Sequence, residues 1–218
     1  MRLFFLAVIL MSVLPAAGAG AAPTTAQQQV QVSGIVSGVV DRLWNQTDAY
    51  WHGGDYPRIV ALDRIITEAD PQFLEAYSNG GWLMDSLGRT QDALAYYTLG
   101  TQNNPHAEYA YWNLGFFYFS TPHDYPAAAR AFRQAVQQPD ADLRDWKMLA
   151  HSYEKAHDWD LAVSTWEQTR ARYPHGLSVD RLLAEAVQKR KQAQLGQSPT
   201  DSAEPTEQRQ PAESTARP

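Results

Sequence analysis

The side chains able to do chemistry in this chain are few and scattered. The histidines are His52, His106, His123, His151, His157 and His175. None stands in His-Glu-x-x-His or His-x-x-Glu-His, the spacings that put two imidazoles and a carboxylate on one helix face for zinc. The chain has no cysteine, which excludes disulfides and thiolate metal sites. No glycine-rich phosphate loop ending in Gly-Lys occurs, and no Gly-x-Ser-x-Gly elbow. Gly80-Gly81 has no strand before it and reads as a helix-packing pair. Asp142 and Asp145 read as the solvated start of a helix, where negative charge suits the dipole. Asn45-Gln46-Thr47 matches a glycosylation sequon, yet falls inside a predicted helix. No nucleophile–base pair is identifiable. The expectation is a chain that is not an enzyme, with no catalytic residues, cofactor or metal.

Charge and composition narrow the partners. The net charge is −6 and no Lys/Arg-rich block occurs, so the electrostatic footprint of a nucleic-acid binder is missing. The same absence removes a polybasic membrane-surface patch. At the N-terminus, Arg2 precedes an apolar run from Leu3 to Leu14, Pro15 breaks it, and residues 16–22 are all small. This is the pattern of a secretory signal peptide over residues 1–22, with Ala-x-Ala cleavage options. The run is shorter than the roughly 20 apolar residues a membrane-spanning helix needs. No cysteine follows it, so a bacterial lipoprotein anchor is not expected. The mature chain is expected to be exported, periplasmic or secreted, with no stable membrane anchor after cleavage.

The elements that must position any site are set by a repeat. The turn Gly54-Asp55-Tyr56 recurs as Gly88-Arg89-Thr90, His123-Asp124-Tyr125 and His157-Asp158-Trp159, at steps of 34, 35 and 34 residues. Ile59, Ala93, Ala128 and Ala162 follow each turn at one fixed distance. Leu43, Tyr77, Tyr111 and Trp146 precede it, as do Tyr50, Met84, Tyr118 and Tyr153. The longer step is one insertion at Thr121-Pro122-His123. Pro71, Pro105, Pro139 and Pro174 close the units. Within the third unit, Tyr111, Leu114, Gly115 and Tyr118 recur at the spacing of one helix face. Each unit therefore reads as two amphipathic helices. Gly81, Gly115 and Ala150 are small so that the second helix can approach the first. One pair cannot bury its apolar face alone; four stacked pairs can.

These columns resemble the tetratricopeptide-repeat family. The fourth unit carries Trp146-x-x-Leu149-Ala150-x-x-Tyr153, then Ala162, Trp166 and Pro174. The third has Tyr111-x-x-Leu114-Gly115-x-x-Tyr118 with Ala128 and Phe132. The second keeps Gly81, Gly88, Ala93, Tyr97 and Pro105 but has Gly80 in place of leucine. The first departs most, with Gln46 and Thr47 for the Leu-Gly pair. The resemblance implies an all-α fold, an α-solenoid of four helix-turn-helix repeats at about 38–71, 72–105, 106–140 and 141–174 within residues 36–174. It also implies a concave groove lined by the first helices, where partner peptides or helices bind. Residues 23–35 read as a flexible lead. Residues 175–195, with Val179, Leu182, Leu183 and Val187 as an apolar stripe, read as a C-terminal capping helix. The Pro/Ser/Thr/Glu/Gln-rich stretch 196–218 reads as a disordered tail.

In the family's register the groove is expected to present Trp44, Asn45 and Trp51 from the first unit, and Asn79 and Trp82 from the second. Tyr109, Trp112, Asn113, Phe116 and Phe119 follow from the third, and Arg144 and Lys147 from the fourth. Asn45, Asn79 and Asn113 occupy one column, and an asparagine amide can both donate to and accept from an extended backbone. Large aromatics beside a polar row are what anchor sites use. Asp41, Asp48, Glu75 and Asp85 make the first two units acidic, and Arg144 and Lys147 make the fourth basic, which predicts a charge gradient along the groove. The family's Lys/Asn clamp for an acidic C-terminal carboxylate is missing, because Trp44/Asp48, Ser78/Trp82 and Trp112/Phe116 stand at its positions. The expected role is an interaction scaffold for a protein or peptide partner. Self-association as part of an envelope complex, and glycan binding by the groove aromatics, are the alternatives.

Overall fold

The computed structural model describes residues 24–196. The expected signal peptide and the tail beyond Gly196 lie outside the described residues. Among these residues the ordered elements are all helical. The first unit is α1 (Thr25–Gly53) and α2 (Tyr56–Ala69), and the second is α3 (Leu74–Ser86) and α4 (Thr90–Asn103). The third is α5 (Glu108–Ser120) and α6 (Tyr125–Ala135), and the fourth is α7 (Leu143–Lys155) and α8 (Trp159–Arg172). A last helix, α9 (Val179–Gly196), follows. No helix among them is long and apolar enough to cross a membrane.

The turns show why the repeat begins where it does. Gly54, Gly88, His123 and His157 hold φ values of +72°, +74°, +53° and +59°. One left-handed residue reverses the chain in every unit, a conformation glycine adopts freely and a larger residue only with strain. The residue after it caps the second helix. Asp55, Asp124 and Asp158 each accept a hydrogen bond from a backbone N–H of the next turn, at Arg58, Ala127 and Leu161. The second unit has Arg89 here and no side-chain cap.

Packing inside each unit follows the small residues. A Cβ on Gly81 would lie 2.5 Å from the Tyr97 ring, and one on Gly115 would lie 2.9 Å from Phe132. In the fourth unit Ala150 takes this place beside the fully buried Trp166. Gly80, the departure from the leucine pattern, admits Tyr96, whose ring would be 2.7 Å from an added Cβ. Apolar clusters then run from unit to unit, as Ile59 and Val60 join Tyr77, Tyr97 and Phe117. On α9, Val179, Leu183 and Ala186 bury against Ala150, Val163 and Trp166, so this helix covers the last repeat.

The structure corrects one boundary. The segment read as a flexible lead is helical from Thr25, continuous with the first helix of the first unit. Val36 and Val40 pack on Ile66, Ala76 and Phe73, which anchors the helix. Extending an anchored helix adds a hydrogen bond per residue without a new nucleation cost. The extension leaves Val30, Val32 and Ile35 exposed, and Val39 of the anchored part is exposed as well.

Candidate functional site

The first helices α1, α3, α5 and α7 carry the predicted groove residues, and the structure divides them into two sets. At the N-terminal end the side chains stay open. Trp51 is 42% exposed and Trp82 51%, with ring centroids 5.8 Å apart. Beside them lies a cavity of about 420 Å³ lined by Trp44, Asn45, Thr47, Asp48, Trp51, Ile59 and Asn79. Trp44 is half-buried and leans on Phe73 at 5.2 Å. Asn45 is exposed. Asp48 meets His52 at 3.6 Å, and both are well exposed.

Beneath this cavity sits a residue that simple pattern reading passed over. Asp63 of α2 is fully buried. Its Oδ2 accepts a 3.0 Å hydrogen bond from Asn79 Nδ2, and its Oδ1 has no partner among the described residues. Burial pushes its carboxyl up to about 8, against the downward pull of the Asn79 bond. In the repeat register Asp63 stands where the other units have Tyr97, Phe132 and Trp166, which fill the core. An acid in an aromatic column is the signal by which the sequence marks it.

At the C-terminal end the same helix positions are tied to one another, while Phe116 keeps 43% of its surface exposed. Tyr109, Trp112 and Phe116 stack, with Trp112 and Phe116 centroids 5.0 Å apart and 6° from parallel. The Arg144 guanidinium lies 4.4 Å from the Trp112 ring centroid. It donates to Glu108 Oε1 at 2.7 Å and contacts Asp145 Oδ1 at 3.3 Å. Glu108 is buried and Asp145 fully so. Burial raises the Glu108 carboxyl, the neighbouring Asp145 raises it further, and Arg144 opposes both. Glu108 replaces the apolar residues Val40, Leu74 and Leu143 of its column, again a signal readable in register.

Several expectations change accordingly. Arg144 is not an unpaired groove cation, since two buried acids hold it, and the basic end of the predicted gradient reduces to the half-buried Lys147, which forms no ion pair among the described residues. Asp145 is not solvated: it accepts from the Asp142 backbone N–H at 2.8 Å inside a capping box, while Asp142 stays exposed. The asparagine column is not one ladder. Asn45 is exposed, Asn79 is committed to Asp63, and Asn113 is buried, accepting from Ser78 Oγ at 3.2 Å. Tyr109 also reaches that Ser78 hydroxyl at 3.2 Å. Phe119 packs edge-on against Tyr125 rather than with the other groove aromatics. Among the described residues no group of three His, Asp or Glu is placed to hold a metal ion.

No protein-family model matches this sequence, and no curated protein matches it. Solved structures do share its fold. The MamA protein is similar with a TM-score of 0.52 at 19% identity, covering 75% of this chain and 96% of that one. A tetratricopeptide-repeat protein from Parabacteroides merdae is similar with a TM-score of 0.52 at 15% identity, over 72% of this chain and 60% of that one. In a structure of Naa15/Naa10 bound to HypK-THB, the match has a TM-score of 0.55 at 15% identity. It covers 72% of this chain and 23% of that one. With repeat columns, turn geometry and these folds in agreement, the chain has the fold of the tetratricopeptide-repeat family, an all-α solenoid of helix pairs.

Proposed function

We propose that this chain is a non-enzymatic protein–protein interaction scaffold that holds a partner peptide or helix against the N-terminal half of its groove. The observation that carries this reading is the exposed Trp51–Trp82 pair beside the open cavity of about 420 Å³. Exposed tryptophans flanking a concavity bring large contact area with little side-chain entropy to lose, the usual anatomy of an anchor site. A solved structure sharing the fold is itself a complex, Naa15/Naa10 bound to HypK-THB. The signal-like N-terminal leader supports export of the mature scaffold.

The test is capture of partners from an envelope extract by the mature chain, against a Trp51→Ala, Trp82→Ala double variant shown by circular dichroism to be folded. Proteins retained by the first and lost by the second establish the scaffold. Equal recovery by both removes the N-terminal groove from consideration. One further observation favours self-association as a second reading. Val32, Ile35 and Val39 share one face of α1 and are all exposed. Sedimentation over a range of concentrations, with Ile35→Glu as the control, separates the two: a dimer abolished by that change supports self-association.

A further inference from the structure

We propose that the cavity between α1 and α3 is a socket for the guanidinium of an arginine presented by the partner. The proposal rests on the groove-binding reading above and gives the partner its chemistry. Two of the polar side chains lining the cavity offer acceptors to a donor. Asn79 uses its Nδ2 on Asp63, which leaves its Oδ1 to accept from an occupant. Asp48 contributes a carboxylate that lies 3.6 Å from His52, an exposed contact of a kind worth little in water. Trp44 and Trp51 line it with indole rings, a type of group that attracts cations. No lysine or arginine lines the space. An anionic occupant is repelled by Asp48.

The closed half of the groove shows what completes such a set. Trp112 stands in the same repeat column as Trp44. It is covered by Arg144 of the following unit at 4.4 Å, with Glu108 closing the ion pair at 2.7 Å. The residue in the Arg144 column beside Trp44 is Glu75, which is exposed. The first two units keep the indole, have Val40 and Ala76 where Glu108 and Asp145 stand, carry Glu75 at the arginine's position, and offer Asp48 from a different column. A guanidinium suits the gap better than an ammonium. It is planar, stacks on indole, and offers paired N–H donors to a carboxylate.

The test uses the full mature chain and three small probes: N-acetyl-arginine amide, its neutral isostere N-acetyl-citrulline amide, and N-acetyl-lysine amide. The readout is the indole N–H resonances of the tryptophans. The expected result is a saturable shift of the Trp51 signal with the arginine probe in the millimolar range. The lysine probe should bind several-fold more weakly, and the citrulline probe should produce no shift. Asp48→Asn should weaken the arginine probe several-fold without changing the fold, since Asp48 is exposed. Equal shifts from arginine and citrulline, or no shift from arginine, overturn the socket. A random peptide library selected on the same chain separates this failure from that of the broader reading. Peptides that need Trp51 and Trp82 and carry an essential arginine support the socket. Peptides that need both tryptophans but no arginine overturn it and leave the groove standing. Peptides indifferent to both tryptophans, or none selected at all, overturn both.

Discussion

The two halves of the groove are built from the same helix positions and differ in what holds their aromatics. In the third and fourth units, Tyr109, Trp112 and Phe116 stack, with Arg144 over Trp112 and ion-paired to buried Glu108 and Asp145. Phe116 stays 43% exposed there, and the Trp112 indole N–H has no partner among the described residues. In the first two units, Trp51, Trp82, Asn45 and Asp48 remain exposed around a cavity. One column position distinguishes the like-placed indoles Trp112 and Trp44. Arginine at 144 closes its aromatic face, and glutamate at 75 cannot. The lesson is that a repeat position is a place and not a role. Trp112 is covered by a cation from the next unit, and Trp44 leans on Phe73 instead.

The sharpest break of this comparison lies in the core column beneath it. Trp166→Ala empties a fully buried site and should lower stability by about 3–5 kcal/mol, read as a fall in the urea midpoint. Asp63, in the same column of the open half, should respond in the opposite sense. Its carboxyl is raised from 3.8 to about 8, so the stability it contributes is full below pH 4 and is lost as pH rises through 8. Asp63→Asn should therefore be more stable than the parent by a few kcal/mol above pH 8, since each tenfold change in proton affinity corresponds to about 1.4 kcal/mol. That advantage should shrink to nothing near pH 4. Denaturation midpoints across that range measure it, and a parallel pH dependence in both proteins would refute it.

Smaller effects test the surface of the two halves. Arg144→Ala leaves Glu108 and Asp145 facing each other without their cation. Because Arg144 is partly exposed, the loss should be about 2 kcal/mol, at the lower end for broken ion pairs. Adding Glu108→Leu, the residue type its column carries at Leu74 and Leu143, should recover part of that loss. Last comes the pair of tryptophans. Trp112→Ala removes a stacked, half-buried ring and should lower stability by about 1–2 kcal/mol. Trp51→Ala should stay within about 0.5 kcal/mol of the parent while abolishing partner capture. If Trp51 proves the more destabilising, the open half is packed and the division of the groove fails.

Much of the architecture was legible beforehand because the repeat is written in residue sizes. Gly81 under Tyr97 and Gly115 under Phe132 are steric requirements that any alignment of the units exposes. The left-handed turn residues Gly54, Gly88, His123 and His157 recur with the period itself. The site was harder to read. Asn79 looks identical to Asn45 in sequence, yet one is bonded to a buried acid and the other is exposed. Arg144 and Lys147 both look like groove cations, and only the former meets two buried carboxylates. Glu108 and Asp63 broke their columns visibly, but a broken column says only that something differs there.

By itself the sequence determined the helix pairs, their register and number, and the helix that caps the last of them. Those follow from local turn conformations and from apolar spacing within about one repeat, which short-range sterics and burial dictate. Only the tertiary structure decided which groove residues are free. That choice is made between units, where a charge on one unit meets an aromatic on the preceding unit's first helix, as Arg144 meets Trp112. Its outcome turns on distances of a few ångströms and on the loss of water around buried charge, neither of which is encoded in residue type alone.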